Sequence, residues 1–374
     1  MQADQVLRKE ERGFLHLGAK LWPSQDCAQR AIRDPRVDVN ANKEFLALME
    51  EYFARSKEEK EVQARPELHY QVGVTPSGVE VPRCLVDTDM QEQIRRLPEG
   101  SRATQPTGPD LKWRYFWRVG ERPAQSRFPE LNAAPVIPPG LPHWSRVMDG
   151  WGCKLLEAAS TVSHMAAVGF GLPPDAFTSR MAHGPHLLAP TGSDLSSHRE
   201  PGTVFAGFHY DLNFLTLHGK SRYPGLFVWL RDGSRVAVRV PCGCLLLQAG
   251  RQLEWLTGGA VKAGMHEVVL TPEASATAAE GKCNGLSPWR VSSTVFVHIA
   301  SDVVLQPLAH FLTEDSHLSY PAIAAGEQVS QELQAICLKK KTKADVHCEG
   351  SEAHPSDSAC SETEHLPSES HESD

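Results

Sequence analysis

The sequence predicts an α+β fold: a jelly-roll β core in the second half, a helix-rich first half packing on it, and a disordered acidic tail. Three observations carry this reading. Amphipathic stretches with helical spacing fall before residue 175, eight short β-type runs crowd the region from 203 to 299, and residues 344–374 hold nine Asp/Glu and no Lys or Arg. The divisions are accordingly 1–175, 176–338 and 339–374.

Taken in order, the first helix follows Asn42, a good N-cap, and carries Phe45, Leu48, Met49, Tyr52 and Phe53 on one face through the 43–60 segment. Residues 123–144 are proline-rich and read as an ordered connector. A longer helix begins near Ser145, with Met148, Trp151, Leu155, Ala159, Val162 and Ala166 on one stripe, and Gly169, Gly171 and Pro173 stop it. From 203 the period changes. β-type runs are expected at 203–208, 212–217, 225–230, 235–240, 244–248, 253–256, 265–270 and 290–299, many separated by turn residues such as Pro224-Gly225, Asp232-Gly233 and Gly258-Gly259. So many short strands suit a sandwich or jelly roll better than a parallel α/β sheet. Residues 271–288 break the rhythm and read as a polar surface insertion. The tail has almost no large apolar residue with which to offset its ordering entropy.

Composition narrows the function classes. With 41% hydrophobic and 22% charged residues the chain reads as a soluble globular protein, and no 18-residue apolar run suggests a membrane span. The net charge is −8, so a tail at −9 leaves the rest at about +1, too little for nucleic-acid binding. The N-terminus lacks a secretion pattern, and the nine cysteines are scattered. Cys242-x-Cys244 reads as reduced thiols rather than a zinc site, so a reducing, cytoplasmic setting is expected. The Lys339–Lys343 run admits nuclear import as a second reading, and the acidic tail is the segment expected to meet a protein partner.

The chemistry gathers at His209 and Asp211. Two residues apart on an extended chain, they point to one face, and His266 follows on a later run. Two imidazoles and a carboxylate hold one face of a non-haem iron(II) and leave the other open. Chance alone gives roughly two His-x-Asp/Glu matches in this composition, and His347-Cys348-Glu349 in the tail is a second one. Context separates them. On the last run Arg290, Ser292, Thr294, Phe296 and His298 share one face, and Val291, Val295, Val297 and Ile299 the other. An inward arginine needs an anion: either a core carboxylate, or a bound carboxylate that Ser292 also touches.

The linked set resembles the 2-oxoglutarate- and iron(II)-dependent dioxygenases, in their isopenicillin N synthase-like branch. The matching pieces are His209-Tyr210-Asp211-Leu212-Asn213-Phe214-Leu215-Thr216, Pro224-Gly225-Leu226, Gly250-Arg251-Gln252-Leu253-Glu254, Lys262-Ala263-Gly264-Met265-His266 and Arg290-Val291-Ser292. The resemblance is clear over 200–308 and weaker over 12–175, where it includes Arg12-Gly13-Phe14-Leu15. It implies a double-stranded β-helix core, iron(II) on His209, Asp211 and His266, and 2-oxoglutarate on Arg290 and Ser292. It also implies O2 and a small-molecule substrate, ascorbate as an accessory reductant, and decarboxylation of 2-oxoglutarate to succinate coupled to hydroxylation, desaturation or cyclisation.

Two departures stand out. Many relatives carry an Asn-x-Tyr on the strand before the metal pair, whose tyrosine touches the co-substrate; here Met181–Pro190 occupies that place, with His183 and His186 as candidate substitutes. The Arg-x-Ser also lies 24 residues after His266, an interval the 271–288 insertion explains. Competing functions are an oxidase of the same fold that does not use 2-oxoglutarate, and a non-catalytic jelly-roll binding protein. The Trp113-Arg114-Tyr115-Phe116-Trp117-Arg118 cluster reads either as a pocket wall or, preferably, as buried aromatics beside two solvated arginines.

Overall fold

Alternating apolar and polar side chains build two main antiparallel sheets here, beside a small two-stranded one, and the site lies between the main two. The computed structural model describes residues 29–283, 285–336 and 338. The Arg12–Leu15 match, the Lys339–Lys343 run and the tail with His347, His354, His365 and His371 lie outside these residues.

In chain order the elements are β1 (Gln29–Arg33), α1 (Val39–Phe53), α2 (Lys57–Glu61), β2 (Gly73–Thr75), α3 (Thr88–Arg96), β3 (Trp113–Arg118) and α4 (Trp144–Gly169). The second half gives β4 (Leu187–Leu188), β5 (Thr191–Asp194), β6 (Val204–His209), β7 (Leu215–His218), β8 (Leu226–Trp229), β9 (Arg235–Ala237) and β10 (Cys244–Ala249). It continues with α5 (Arg251–Leu256), β11 (His266–Val269), α6 (Pro272–Cys283), β12 (Trp289–Val291), β13 (Thr294–Val297) and α7 (Ala325–Ala335). One sheet has nine strands in the order β1-β10-β7-β13-β4-β3-β5-β12, with β2 beside β3; the other has four, β6-β11-β8-β9. This is the expected α+β jelly-roll arrangement. The first half supplies strands as well as helices, since β1 pairs with β10 and β3 with β4 and β5.

The large sheet has two faces with different duties. On one, Val291, Val295 and Val297 join the main core with Trp144, Trp151 and Leu155 of α4 and Phe45, Met49 and Tyr52 of α1. Burying a large apolar side chain stabilises by about 1.5–3 kcal/mol, so this layer fixes where β12 and β13 lie. The expected α4 stripe is buried throughout. Gly152 lets α4 approach closely, because a Cβ there would sit 2.4 Å from Val119 Cγ1. Trp151 Nε1 donates to Ser293 Oγ at 2.7 Å and ties the helix to the sheet.

Several local expectations are corrected. Asp38, not Asn42, caps α1 by accepting Asn40 N, while Asn42 is buried and donates to Lys220 O at 2.9 Å. The helix also stops at Phe53, and a separate α2 begins on a Ser56/Glu59 capping box. The 253–256 run is helical: Arg251 N and Gln252 N donate to Asp211 O and Asn213 O at 2.8 and 3.0 Å, which starts a helix rather than a strand. The 290–299 run is broken at Ser292-Ser293, because β12 pairs with β5 whereas β13 pairs with β4 and β7. Residues 272–283 form α6, whose Ala274 and Ala278 pack with Leu195, Phe205, Tyr223 and Leu270. The arginines of β3 are buried, not solvated: Arg114 pairs with Glu80 at 2.9 Å, and Arg118 donates to the Gly184 and Glu121 carbonyls.

Candidate metal and co-substrate site

β6 and β11 are neighbours in the small sheet, and their register sets His209 opposite His266. Asp211 follows just after β6. His209 Nε2 and His266 Nε2 lie 4.0 and 3.7 Å from Asp211 Oδ1, and the three ligand atoms are all within 4.8 Å of one another. The outward atoms are held: His209 Nδ1 meets Gly207 O at 2.6 Å, His266 Nδ1 meets Gly264 O at 3.3 Å, and Thr216 Oγ1 donates to Asp211 Oδ2 at 2.6 Å. Such bonds leave each Nε2 free with its lone pair inward.

The electrostatics agree. Burial, aided by the His266 ring, drives His209 well below the ordinary histidine range, so its imidazole is neutral. Burial alone would raise the Asp211 carboxyl, but His266, His209, His218 and the Thr216 hydroxyl together hold it below its usual value. Gly250 helps place Asp211. A Cβ there would meet Asn213 O at 2.1 Å and Asp211 O at 3.1 Å, so only glycine admits the start of α5 against this turn. The residues fit a divalent metal with two nitrogen donors and one anionic oxygen.

The triad opens on a cavity of about 170 Å³ between the two sheets. Arg290, Ser292, Thr294, Phe296 and His298 all line it, as their alternation predicts. Arg290 is 4% exposed, and among the described residues it has no ion-pair partner. Its Nε donates to Pro224 O at 3.0 Å, while Nη1 is buried with no hydrogen-bond partner. Burial pushes the guanidinium down to about 10, still charged at neutral pH. Among the described residues no core carboxylate neutralises it. Ser292 Oγ accepts Thr191 N at 2.9 Å and lies 2.9 Å from Thr191 Oγ1.

Residues 185–299, which hold the triad and Arg290, match the family model of the 2OG-Fe(II) oxygenase superfamily. This segment is a 2OG-Fe(II) oxygenase domain. Among curated proteins the chain is similar to kihadalactone A synthase LFS of Citrus sinensis, at 25% identity over 216 residues. That match spans 54% of this chain and 58% of the relative's length. Among solved structures, a Caulobacter crescentus protein placed in the 2OG-Fe(II) oxygenase family superposes with a TM-score of 0.67 at 23% identity, over 88% of this chain and 97% of that one. A full-length Neurospora crassa protein, solved in complex with alpha-KG, gives a TM-score of 0.61 at 19% identity, over 82% of this chain and 86% of that one. At these identities the solved structures speak for the fold alone.

Neither expected tyrosine substitute reaches the cavity. His183 is exposed, and His186 is buried behind the wall, its Nδ1 accepting His298 N at 3.1 Å. Leu187 and Ala189 line the cavity there. The residue that sequence reading missed is His218, half-buried at the end of β7 and pushed down to about 4, chiefly by desolvation. Its single signal was a histidine closing the β-type run Leu215-Thr216-Leu217.

Two further walls complete the cavity. Buried Asp110, Lys112 and Arg114 and half-buried Glu80 form a quartet: Lys112 pairs with Asp110 and, at 3.5 Å, with Glu80, and Arg114 with Glu80. α7 brings Glu332, Leu333 and Ile336 to the cavity. Glu332 pairs with Arg83 at 2.6 Å and accepts the Tyr210 hydroxyl at 3.1 Å, tying α7 to the residue between His209 and Asp211.

Proposed function

We propose that the protein is an iron(II)- and 2-oxoglutarate-dependent dioxygenase that oxidises a C–H bond of a small organic molecule. The observation that carries this is Arg290, a charged guanidinium buried without an anion in the cavity that holds the metal triad. A buried charge left unpaired is costly, and a ligand carboxylate supplies the missing partner. The Neurospora crassa protein, which shares the fold, is solved in complex with alpha-KG, that is, 2-oxoglutarate.

The roles of the residues follow. His209, Asp211 and His266 would hold iron(II), and Arg290 with Ser292 would bind the far carboxylate of 2-oxoglutarate and aim its other end at the metal. Bound iron(II) supplies the dioxygen activation that couples decarboxylation of the co-substrate to substrate oxidation. Phe116, Leu187, Phe205 and Phe296 keep the interior poor in water, which strengthens the ionic contacts within it. The quartet at Glu80–Arg114 offers donors and acceptors to a polar part of the substrate.

A 2-oxoglutarate-independent oxidase is the second reading, favoured by the apolar Leu187 and Ala189 where many relatives place a tyrosine. Succinate separates the two. The iron(II) protein incubated with 2-oxoglutarate in air should release succinate slowly even without substrate, and removing iron should stop it. Absence of succinate at saturating 2-oxoglutarate would favour the oxidase.

A further inference from the structure

We infer that the substrate is an uncharged molecule, apolar over most of its surface with a neutral hydrogen-bonding group, and that Glu80 keeps anions out of the cavity. This rests on the 2-oxoglutarate reading above and names its substrate class. Among the described Asp, Glu, Lys and Arg side chains that line the cavity, only Asp211 and Arg290 lack an ion pair with another of them. The first is taken by the metal and the second by the far carboxylate of 2-oxoglutarate. Iron(II) and Arg290 together then balance Asp211 and the two carboxylates of 2-oxoglutarate, which leaves that part of the cavity neutral.

The remaining charges close on one another. Lys112 lies against Asp110 and, at 3.5 Å, against Glu80, and Arg114 Nη1 meets Glu80 Oε2 at 2.9 Å. Burial raises the Asp110 carboxyl, yet both its oxygens accept, Oδ2 from Lys112 and Oδ1 from Gly207 N at 3.1 Å, as the ionised form does. Burial acts on Glu80 as well, but Arg114 and Lys112 outweigh it and hold that carboxyl down at about 2. Elsewhere on the wall Arg83 pairs with Glu332 at 2.6 Å and with Asp87 at 2.7 Å. An ionic substrate would have to draw one of these groups from its partner and leave another charge buried alone, a cost that selects against ions. A neutral amide, carbonyl or hydroxyl can share the quartet's donors and acceptors without separating them. Phe116, Leu187, Phe205, Leu226, Val268 and Phe296 offer the rest of the substrate apolar contact.

Glu80 is the deciding residue because it is the one anion paired with Arg114. The Arg114 guanidinium lies 4.2 Å from the centre of the Phe116 ring, and its Nε is buried without a hydrogen-bond partner. It is the cation a carboxylate would seek. The Glu80 carbonyl accepts Asp110 N at 2.9 Å, so the backbone at Glu80 is held independently of its side chain.

The test uses trios of probes, each an amide, a carboxylate and an amine on one carbon skeleton, such as phenylacetamide, phenylacetate and phenethylamine. They are titrated into the full chain loaded with manganese(II) and 2-oxoglutarate and read by melting temperature. The visible charge-transfer band of the anaerobic iron(II) form shows which of them bind beside the metal. Amides should raise the melting temperature and move the band, and their carboxylates and amines should need roughly tenfold more or fail to bind. Glu80→Gln leaves Arg114 without its anion, so carboxylates should bind the variant roughly tenfold tighter than the wild type, and amides as before. Lys112→Met leaves an unmatched carboxylate and should give the gain to amines instead. A rise in melting temperature with 2-oxoglutarate shows that each variant is folded. Carboxylates or amines that bind the wild type as well as their amides do overturn the inference. So does a folded Glu80→Gln with no gain for carboxylates, or a set in which no amide binds, and each of these leaves the function reading standing. If the metal-loaded wild type takes up no 2-oxoglutarate, the function reading fails and this inference with it.

Discussion

Arg290→Met should abolish tight 2-oxoglutarate binding while leaving the ligand-free fold as stable as before, or more so. The two effects have one cause. Breaking a buried, charge-assisted carboxylate pair costs about 2–5 kcal/mol, and each 1.4 kcal/mol is tenfold, so affinity should fall by roughly 30-fold or more. Without ligand the guanidinium is buried with Nη1 unpartnered, and its one bond to Pro224 O does not repay its desolvation. An apolar side chain of similar length removes that cost, and replacing buried charges with packed apolar groups is neutral or stabilising by about 1–4 kcal/mol. Thermal melts with and without 2-oxoglutarate read both numbers, since a ligand that binds only the folded state raises the melting temperature by mass action. A variant that keeps the full 2-oxoglutarate-induced shift contradicts the role given to Arg290.

In Asp211→Ala, iron should be lost and the fold kept. Asp211 is the only carboxylate in the triad and offers Oδ1 to both imidazoles, so metal affinity should drop by ~100-fold or more, beyond what loss of an outer hydrogen bond costs. The main core lies on the other side of the large sheet and does not use Asp211. Iron content after gel filtration, set beside the far-ultraviolet circular dichroism spectrum, checks this. Full iron occupancy in the variant would place the metal elsewhere in the chain.

What was legible in the sequence was local. Strand alternation from Arg290 to His298 says which residues share a face, and the structure turns that face to the cavity and the valines to the helices. The two-residue step from His209 to Asp211 is of the same kind. What was hidden depends on partners distant in sequence. β1 pairs with a strand more than two hundred residues away, and nothing in Gln29–Arg33 announces β10. Leu253–Leu256 is too short for its period to decide, and the Asp211 and Asn213 carbonyls make it a helix. α6 escaped notice because alanines make a weak apolar stripe. His218 was passed over because the groups it faces, Thr294, Gln248 and His266, each lie on a different strand.

Whether one cavity holds iron(II) and 2-oxoglutarate together is read from the visible spectrum of the anaerobic iron(II) protein during a 2-oxoglutarate titration. A 2-oxo acid chelating iron(II) on His209, Asp211 and His266 should give a weak metal-to-ligand charge-transfer band that saturates at one equivalent. The band should be absent in Asp211→Ala and need far more ligand in Arg290→Met. A wild-type protein loaded with iron(II) that shows no band at saturating 2-oxoglutarate would contradict joint binding in this cavity.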